Sequence, residues 1–157
     1  MKKIYTILWI LMSMLFFGKG NIYAQDENWS DEFSDSLNCL GLYCVETDGN
    51  NVYVGGWLLG AGQATTRDIA RWDGTRWHAM PEGGLYGNVH EMVLVNDSLY
   101  VVGEFPCSGD FSTQLGFVGL YDGSGWSALG TGLNDNAYAV AYDTLNRKLY
   151  VGGIFTT

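Results

Sequence analysis

The sequence is poor in basic residues, histidine and proline, and these shortages exclude several functions. It contains 8 lysines and arginines against 17 aspartates and glutamates, with 2 histidines and 2 prolines. Binding to nucleic acid or to an anionic membrane surface depends on basic contacts to phosphate, so this charge argues against both as partners. The histidines and cysteines have no metal-ligand spacing, and motifs of catalytic nucleophiles or phosphate loops are absent. We therefore predict no catalytic residue, no cofactor and no metal site.

Stretches with the 3.6-residue periodicity of helices are also absent downstream of residue 24. The chain instead combines 22 glycines with 15% aromatic residues. Aromatic and β-branched side chains favour strands, and glycine serves tight turns and close backbone approaches. This composition predicts an all-β fold.

The first 24 residues have the features of a secretory signal peptide. Two lysines precede an apolar run over residues 4–17, and the small residue Ala24 stands where a signal peptidase would cut. An N-terminal membrane anchor is the alternative, although about 20 apolar residues are needed to span a bilayer. Removal of this segment with its three lysines leaves 5 basic and 17 acidic residues, a net charge of −12. We expect an exported protein, extracellular, on the cell surface or periplasmic, with no membrane contact after signal removal.

All three cysteines lie downstream of the predicted cleavage site. Export permits oxidation, so a bridge between Cys39 and Cys44 is one option. The alternatives are that the cysteines are small buried residues, or that Cys107 or another of them has a partner in further sequence. Because three is an odd number, at least one thiol lacks a partner within this chain.

Two sequence words recur with a period of nearly fifty residues. The first is Asn-Val-Tyr-Val-Gly-Gly at 51–56, and related words occupy 98–103 and 148–153, with their tyrosines 47 and then 50 residues apart. The second word runs over residues 69–77 and returns 49 residues later at 118–126. Two words with the same order and period indicate a repeat protein.

Each repeat contains four short strand candidates, and an Asp-Gly turn joins the last two. Asp-Gly between two β-rich runs is a strong hairpin signal, and four strands per repeat are typical of a propeller blade. A β-solenoid is the alternative, but its coils are usually shorter. We predict a β-propeller of four-stranded blades over residues 41–157, preceded by a lead-in at 25–40 that could supply one strand of an incomplete blade.

The predicted blade boundaries are 41–88, 89–136 and a truncated 137–157. This amounts to about two and a half to three blades, whereas closed propellers have about four to eight. We therefore expect part of a larger protein. The alternative is a ring completed by self-association of several chains through the open edge of the propeller.

The repeated words resemble those of known propeller families. Val-Tyr-Val-Gly-Gly, Ile-Ala-Arg-Trp-Asp-Gly with its following tryptophan, and Trp-Ser-Ala-Leu-Gly-Thr-Gly-Leu at 126–133 look like the repeats of kelch-like bacterial surface β-propellers. They are also similar to those of the fungal cell-polarity cortical marker family. The resemblance covers residues 41–157. It implies a propeller architecture and, for a bacterial parent protein, attachment to the cell surface through a further domain.

Residues that recur at equivalent positions are predicted to be structural. Asp73 and Asp122 would accept hydrogen bonds from turn amides rather than act in catalysis, because a catalytic residue is normally unique to one site. The repeated tryptophans could stack on sugars, but aromatic residues at repeated strand positions more often pack between blades. The predicted structural repeat residues are Tyr53, Gly56, Trp72, Asp73, Gly74, Trp77, Tyr100, Gly103, Tyr121, Asp122, Gly123, Trp126, Tyr150 and Gly153.

One repeated position differs in chemistry between the repeats. Trp57, Glu104 and Ile154 each follow the second-strand glycines, where a long loop of the kind that carries binding groups is expected to begin. We predict ligand contact by Trp57 and Glu104, and the alternative is that both are merely exposed loop residues. His78 and His90 are predicted to be packing or surface residues.

These features predict a non-enzymatic, exported binding or scaffold module whose partner is a protein or a glycan. The basis is that structural words repeat while no unique reactive group of residues is present. One alternative is an extracellular carbohydrate-active enzyme whose catalytic residues lie in further blades. Another is a structural adhesion segment of a larger surface protein.

Overall fold

The computed structural model of this protein describes residues 37–156. This region contains ten strands in antiparallel sheets and no α-helix, which confirms the predicted all-β class. None of its helical turns is long and apolar enough to cross a membrane. The predicted signal peptide and most of the predicted lead-in lie outside the described residues.

The strands form three sheets, and in each sheet they are hydrogen-bonded in chain order. The first sheet consists of β1 (Leu37–Thr47), β2 (Val52–Ala61), β3 (Ile69–Trp72) and β4 (Trp77–Ala79). The second consists of β5 (Val89–Val95), β6 (Ser98–Gly103), β7 (Val118–Tyr121) and β8 (Trp126–Ala128). The third consists of β9 (Ala137–Asp143) and β10 (Lys148–Gly153), and a single 3₁₀ turn, Pro81–Gly83, lies between the first two sheets.

The first two sheets share one register. Val52 of β2 pairs with Trp72 of β3, and Leu99 of β6 pairs with Tyr121 of β7. The turn between the last two strands brings aromatic rings together in both sheets, at 5.3 Å for Trp72 and Trp77 and at 5.6 Å for Tyr121 and Trp126. The repeated words therefore occupy equivalent positions in two four-stranded sheets.

The first sheet differs from expectation at the far ends of β1 and β2. β1 begins at Leu37, inside the segment predicted as a lead-in, and β2 continues to Ala61. The prediction that a loop begins at Trp57 is wrong, because Trp57 lies within β2 and pairs with Gly41 of β1. The additional residues of β1 supply the partner that keeps this part of β2 extended.

The first strand of every sheet carries a β-bulge at the same position. Tyr43 in β1, His90 in β5 and Tyr138 in β9 each lie where the pairing with the second strand shifts by one residue. A bulge leaves its extra residue outside the ladder and redirects the side chain. Three equivalent side chains are thus turned away from regular strand pairing.

The repeated second-strand glycines lie directly beside these bulges. A Cβ atom on any of them would overlap a backbone carbonyl oxygen of the first strand or the residue before it. At these positions the crowding is between neighbouring segments of one sheet, whereas a Cβ on Gly55 would meet Val89 of the second sheet. The glycines and the residues whose oxygens they face are Gly56 with Gly41, Gly103 with Asn88, and Gly153 with Asn136.

Two apolar cores lie between consecutive sheets. The first joins the first and second sheets and contains twelve buried residues, among them Tyr53, Met92 and Phe105. The second joins the second and third sheets around Val102 and Val140. A further cluster covers the other face of the first sheet.

Carboxylates connect the first strands of adjacent sheets. The backbone amide of Leu94 in β5 donates to Glu46 Oε1 of β1 at 3.1 Å, and the amide of Val140 in β9 donates to Glu91 Oε2 of β5 at 2.7 Å. These amides lie on strand edges that have no backbone partner on that side. The glutamates therefore satisfy edge donors across two sheet boundaries.

The three cysteines are free thiols. Cys39 packs against the cluster on the outer face of the first sheet, whereas Cys44 packs against the core between the first and second sheets. The bridge considered between them is not formed, because the two side chains enter different cores. Burial raises the pKa of the Cys44 thiol to about 12, with the nearby Glu91 carboxylate adding to the effect.

The repeated aspartates lie at the tips of the last hairpins. Asp73 Oδ1 accepts the amides of Thr75 and Arg76, and Asp122 Oδ1 accepts the amides of Ser124 and Gly125. The hydroxyl groups of Thr75 and Ser124 also donate to these carboxylates. These hydroxyl bonds lower the pKa of Asp73 and Asp122 most, and the amide bonds lower it further. Each carboxylate therefore accepts hydrogen bonds from the backbone of its own turn.

Candidate functional site

Trp57 and Glu104, the two predicted ligand residues, line the same cleft. The cleft has a volume of about 430 Å³ and lies between the first and second sheets. We call it the inter-sheet cleft; its walls are formed by Trp57, Leu58, Leu59, Arg67, Asp68, Tyr86, Gly87, Asn88 and Glu104. Volumes of this size are typical of sites for small molecules.

Equivalent positions in the two repeats bring Trp57 and Glu104 to the cleft. Trp57 follows Gly56 on β2, and Glu104 follows Gly103 at the end of β6. The next residue in each repeat, Leu58 or Phe105, is fully buried and anchors the segment. Trp57 itself remains 46% exposed, so its ring is available to a ligand.

Tyr86 and Arg67 also line the cleft. The Arg67 guanidinium lies 5.5 Å from the centre of the Tyr86 ring, and the centre of the Phe111 ring lies 4.6 Å from it. Arg67 forms no salt bridge with another residue of the described region. Its guanidinium is held beside an aromatic surface, and against the larger, raising effect of burial its charge lowers the pKa of the neighbouring Asp68 carboxyl group.

Asp68 contributes a buried carboxyl group that the sequence analysis did not single out. Its backbone has a positive φ of 60°, and its Oδ2 accepts the amide of Gly87 at 3.1 Å. Burial raises the pKa of Asp68 above its ordinary value, against the lowering effect of the hydrogen bonds. Asp68 lies in the non-repeated segment between β2 and β3, where repetition gives no signal.

Glu104 is held by two neighbours rather than extended freely into solvent. Its Oε2 accepts the Asn88 side-chain amide at 3.0 Å, and its Oε1 lies 3.0 Å from Nε2 of His90. The side chain nevertheless remains partly accessible. Glu104 is therefore a fixed acceptor that connects the cleft to the first strand of the second sheet.

The bulge residues form a second aromatic surface, which we call the aromatic column. Tyr43 stacks on His90 at 5.5 Å with nearly parallel rings, and Tyr138 meets His90 edge to face at 4.9 Å. Tyr43 is 49% and Tyr138 42% exposed. Neither repeated word includes these three residues, although they occupy equivalent first-strand positions in the three repeats.

The remaining sequence candidates lie away from these surfaces. The imidazole of His78 contacts the Asp73 carboxylate at the hairpin tip of the first sheet. Ile154, equivalent to Trp57 and Glu104, is exposed after β10. Within residues 37–156, no three histidine, cysteine, aspartate or glutamate side chains are grouped as metal ligands would be.

Comparison with curated proteins gives one significant similarity. A segment of 59 residues is 37% identical to "Polarized growth protein rax2" of Schizosaccharomyces pombe. The match covers 36% of this chain and 5% of the length of the relative, so the chain corresponds to a small part of that protein. No family model matches the sequence, and no solved structure matches it. The fungal resemblance is thus supported over part of the chain, and no comparison supports the kelch-like one.

Proposed function

We propose that this protein is an exported, non-enzymatic binding module and that the inter-sheet cleft is its ligand site. The observation that carries the proposal is the meeting of Trp57 and Glu104 in one cleft, although they belong to different repeats and lie 47 positions apart. The cleft combines exposed aromatic rings with fixed polar groups, the usual composition of a recognition site. Its ligand is a glycan or a protein segment.

We further propose that the sheets are blades of a β-propeller. The shared meander, the shared register and the face-to-face packing of consecutive sheets support this architecture. In the described region β10 has no partner on its outer edge, and such an edge can pair with another strand. Self-association through that edge would make the sedimentation coefficient rise with protein concentration.

The binding proposal is tested by screening the full chain against arrays of extracellular glycans and proteins. Each hit is titrated against wild type, Trp57→Ala and Ile154→Ala. Ile154 is the matched control, because it occupies the equivalent position but does not line the cleft. We expect Trp57→Ala to weaken binding at least roughly tenfold and Ile154→Ala to leave it unchanged. Binding that survives Trp57→Ala would overturn the cleft as the site.

A carbohydrate-active enzyme is the second candidate, and Asp68 is the observation that favours it. A carboxyl group with a raised pKa in the same cleft as another carboxylate is the kind of pair used in glycoside hydrolysis. Incubation of each glycan hit with the full chain, followed by mass spectrometry, separates the two functions. Hydrolysis products that disappear in Asp68→Asn would replace the binding proposal with the enzyme.

A further inference from the structure

We infer that the inter-sheet cleft and the aromatic column form one continuous site for a neutral oligosaccharide, joined by Glu104. This inference rests on the proposed function of the cleft and names its ligand class. It also assigns a role to Tyr43, His90 and Tyr138, which neither the repeats nor the cleft explains.

The cleft has the chemistry that recognises a single sugar ring. A pyranose has apolar C–H faces and a rim of hydroxyl groups, so it needs an aromatic platform beside donors and acceptors. Trp57 and Tyr86 supply the platforms, while Arg67, Asn88 and Glu104 supply donors and acceptors around them. A protein ligand would require a standard interface of about 800 Å² on each partner, far more than these few residues offer.

The column extends this site beyond one sugar. The carboxylate of Glu104 contacts Asn88 in the cleft and His90 in the column at the same distance of 3.0 Å. The two surfaces are therefore separated by no more than one side chain. Tyr138 is exposed at one end of the column and offers another aromatic contact. An oligosaccharide could lie along both surfaces, whereas a monosaccharide would occupy only the cleft.

The charges favour a neutral ligand. Asp68 and Glu104 line the cleft with a single arginine, and Arg67 is turned towards Tyr86. The exported chain carries a net charge of −12, whose field disfavours phosphate, sulfate and uronate groups. Neutral hexoses and pentoses carry no such penalty.

The inference is tested by titration calorimetry of the full chain with neutral oligosaccharides of one to several units. The probes are gluco-, manno-, galacto- and xylo-oligosaccharides, with oligogalacturonate as the anionic counterpart. We expect affinity to rise with chain length in wild type. Tyr138→Ala should weaken binding of the longer oligosaccharides about tenfold, so that the rise with length disappears. It should leave the affinity for monosaccharides unchanged. Trp57→Ala should weaken binding of every length.

Tyr150→Ala is the matched control, because Tyr150 is an exposed tyrosine of the same third sheet outside both surfaces. Circular dichroism confirms folding, and Tyr138→Phe, which keeps the ring, should retain the length dependence. Affinity that is independent of length, an effect of Tyr138→Ala no larger than that of Tyr150→Ala, or preference for oligogalacturonate would overturn the inference. Binding of a protein at Trp57 without any glycan binding would overturn the ligand class and leave the proposed function standing.

Discussion

Equivalent side chains in the first and third sheets of this molecule are buried to different extents. Tyr53 of the first sheet faces the core shared with the second sheet and is 6% exposed, whereas its equivalent Tyr150 in the third sheet is 56% exposed. Burial, together with the nearby Asp48 carboxylate, raises the pKa of Tyr53 to about 12. The same sequence word therefore produces a core residue only where a neighbouring sheet covers it.

The two cores also differ in size. Twelve buried residues fill the boundary between the first and second sheets, and four fill that between the second and third. Because apolar burial dominates the stability of such boundaries, equivalent substitutions should cost more at the first boundary than at the second.

The largest difference is expected between Phe105→Ala and Phe155→Ala. Phe105 is fully buried in the first core, and its equivalent Phe155 is half-buried at the second. We expect Phe105→Ala to lower the free energy of unfolding by about 4 kcal/mol and Phe155→Ala by less than half of that. Urea denaturation of both variants measures the difference. Equal losses would show that the two boundaries are equally packed.

The second-strand glycines should give the next largest effect. Gly103→Ala places a Cβ against the Asn88 carbonyl, so strand β6 must move away from β5, at a cost of about 2 kcal/mol. Gly123→Ala is the comparison, because its Cβ would meet open space and only the positive φ of 94° is unfavourable. We expect about 1 kcal/mol there. A larger loss for Gly123→Ala in thermal unfolding would contradict the steric explanation.

The inter-sheet carboxylates should contribute less. Glu91→Ala removes the acceptor for the Val140 amide at the second boundary, and Glu46→Ala removes that for Leu94 at the first. We expect losses of about 1–2 kcal/mol, since each substitution leaves an edge amide without its charged partner. Hydrogen exchange of the Val140 and Leu94 amides reports each bond directly. Unchanged exchange at Val140 in Glu91→Ala would exclude the bond.

The smallest effect is expected from the pH dependence of the exposed turn carboxylates. Hydrogen bonds from Ser124 and Gly125 lower the folded-state pKa of Asp122 below its ordinary 3.8. The ionised Asp122 carboxylate therefore stabilises the folded state above about pH 3.8, and this stabilisation is lost as the pH falls through the folded-state pKa. Asp122→Asn should flatten the decline in urea midpoint between about pH 5 and pH 2. Asp97→Asn is the control. An equal flattening of the urea midpoint in Asp97→Asn would show that the pH dependence does not come from the hydrogen bonds of the Asp122 turn.

The repeats made much of the fold predictable. Two words that recur after nearly fifty residues located the second and third strands of both complete sheets, and the Asp-Gly pair located the turn before β4 and β8. The ends of β1 and β2 were missed because their pairing depends on bulges, which have no local sequence signal. Trp57 and Glu104 were identified because they break the repetition, whereas Asp68 and Tyr86 lie in connections that the repeats do not align.

The sequence by itself determined the all-β class, the equivalent positions of the strands and the turns that join them, because these depend on local alternation, glycine and aspartate. Only the tertiary structure decided which tyrosine is buried, which core each cysteine enters and which side chains share a cleft. Those outcomes depend on how neighbouring sheets pack, and residues 47 positions apart, such as Trp57 and Glu104, meet only after that packing is complete.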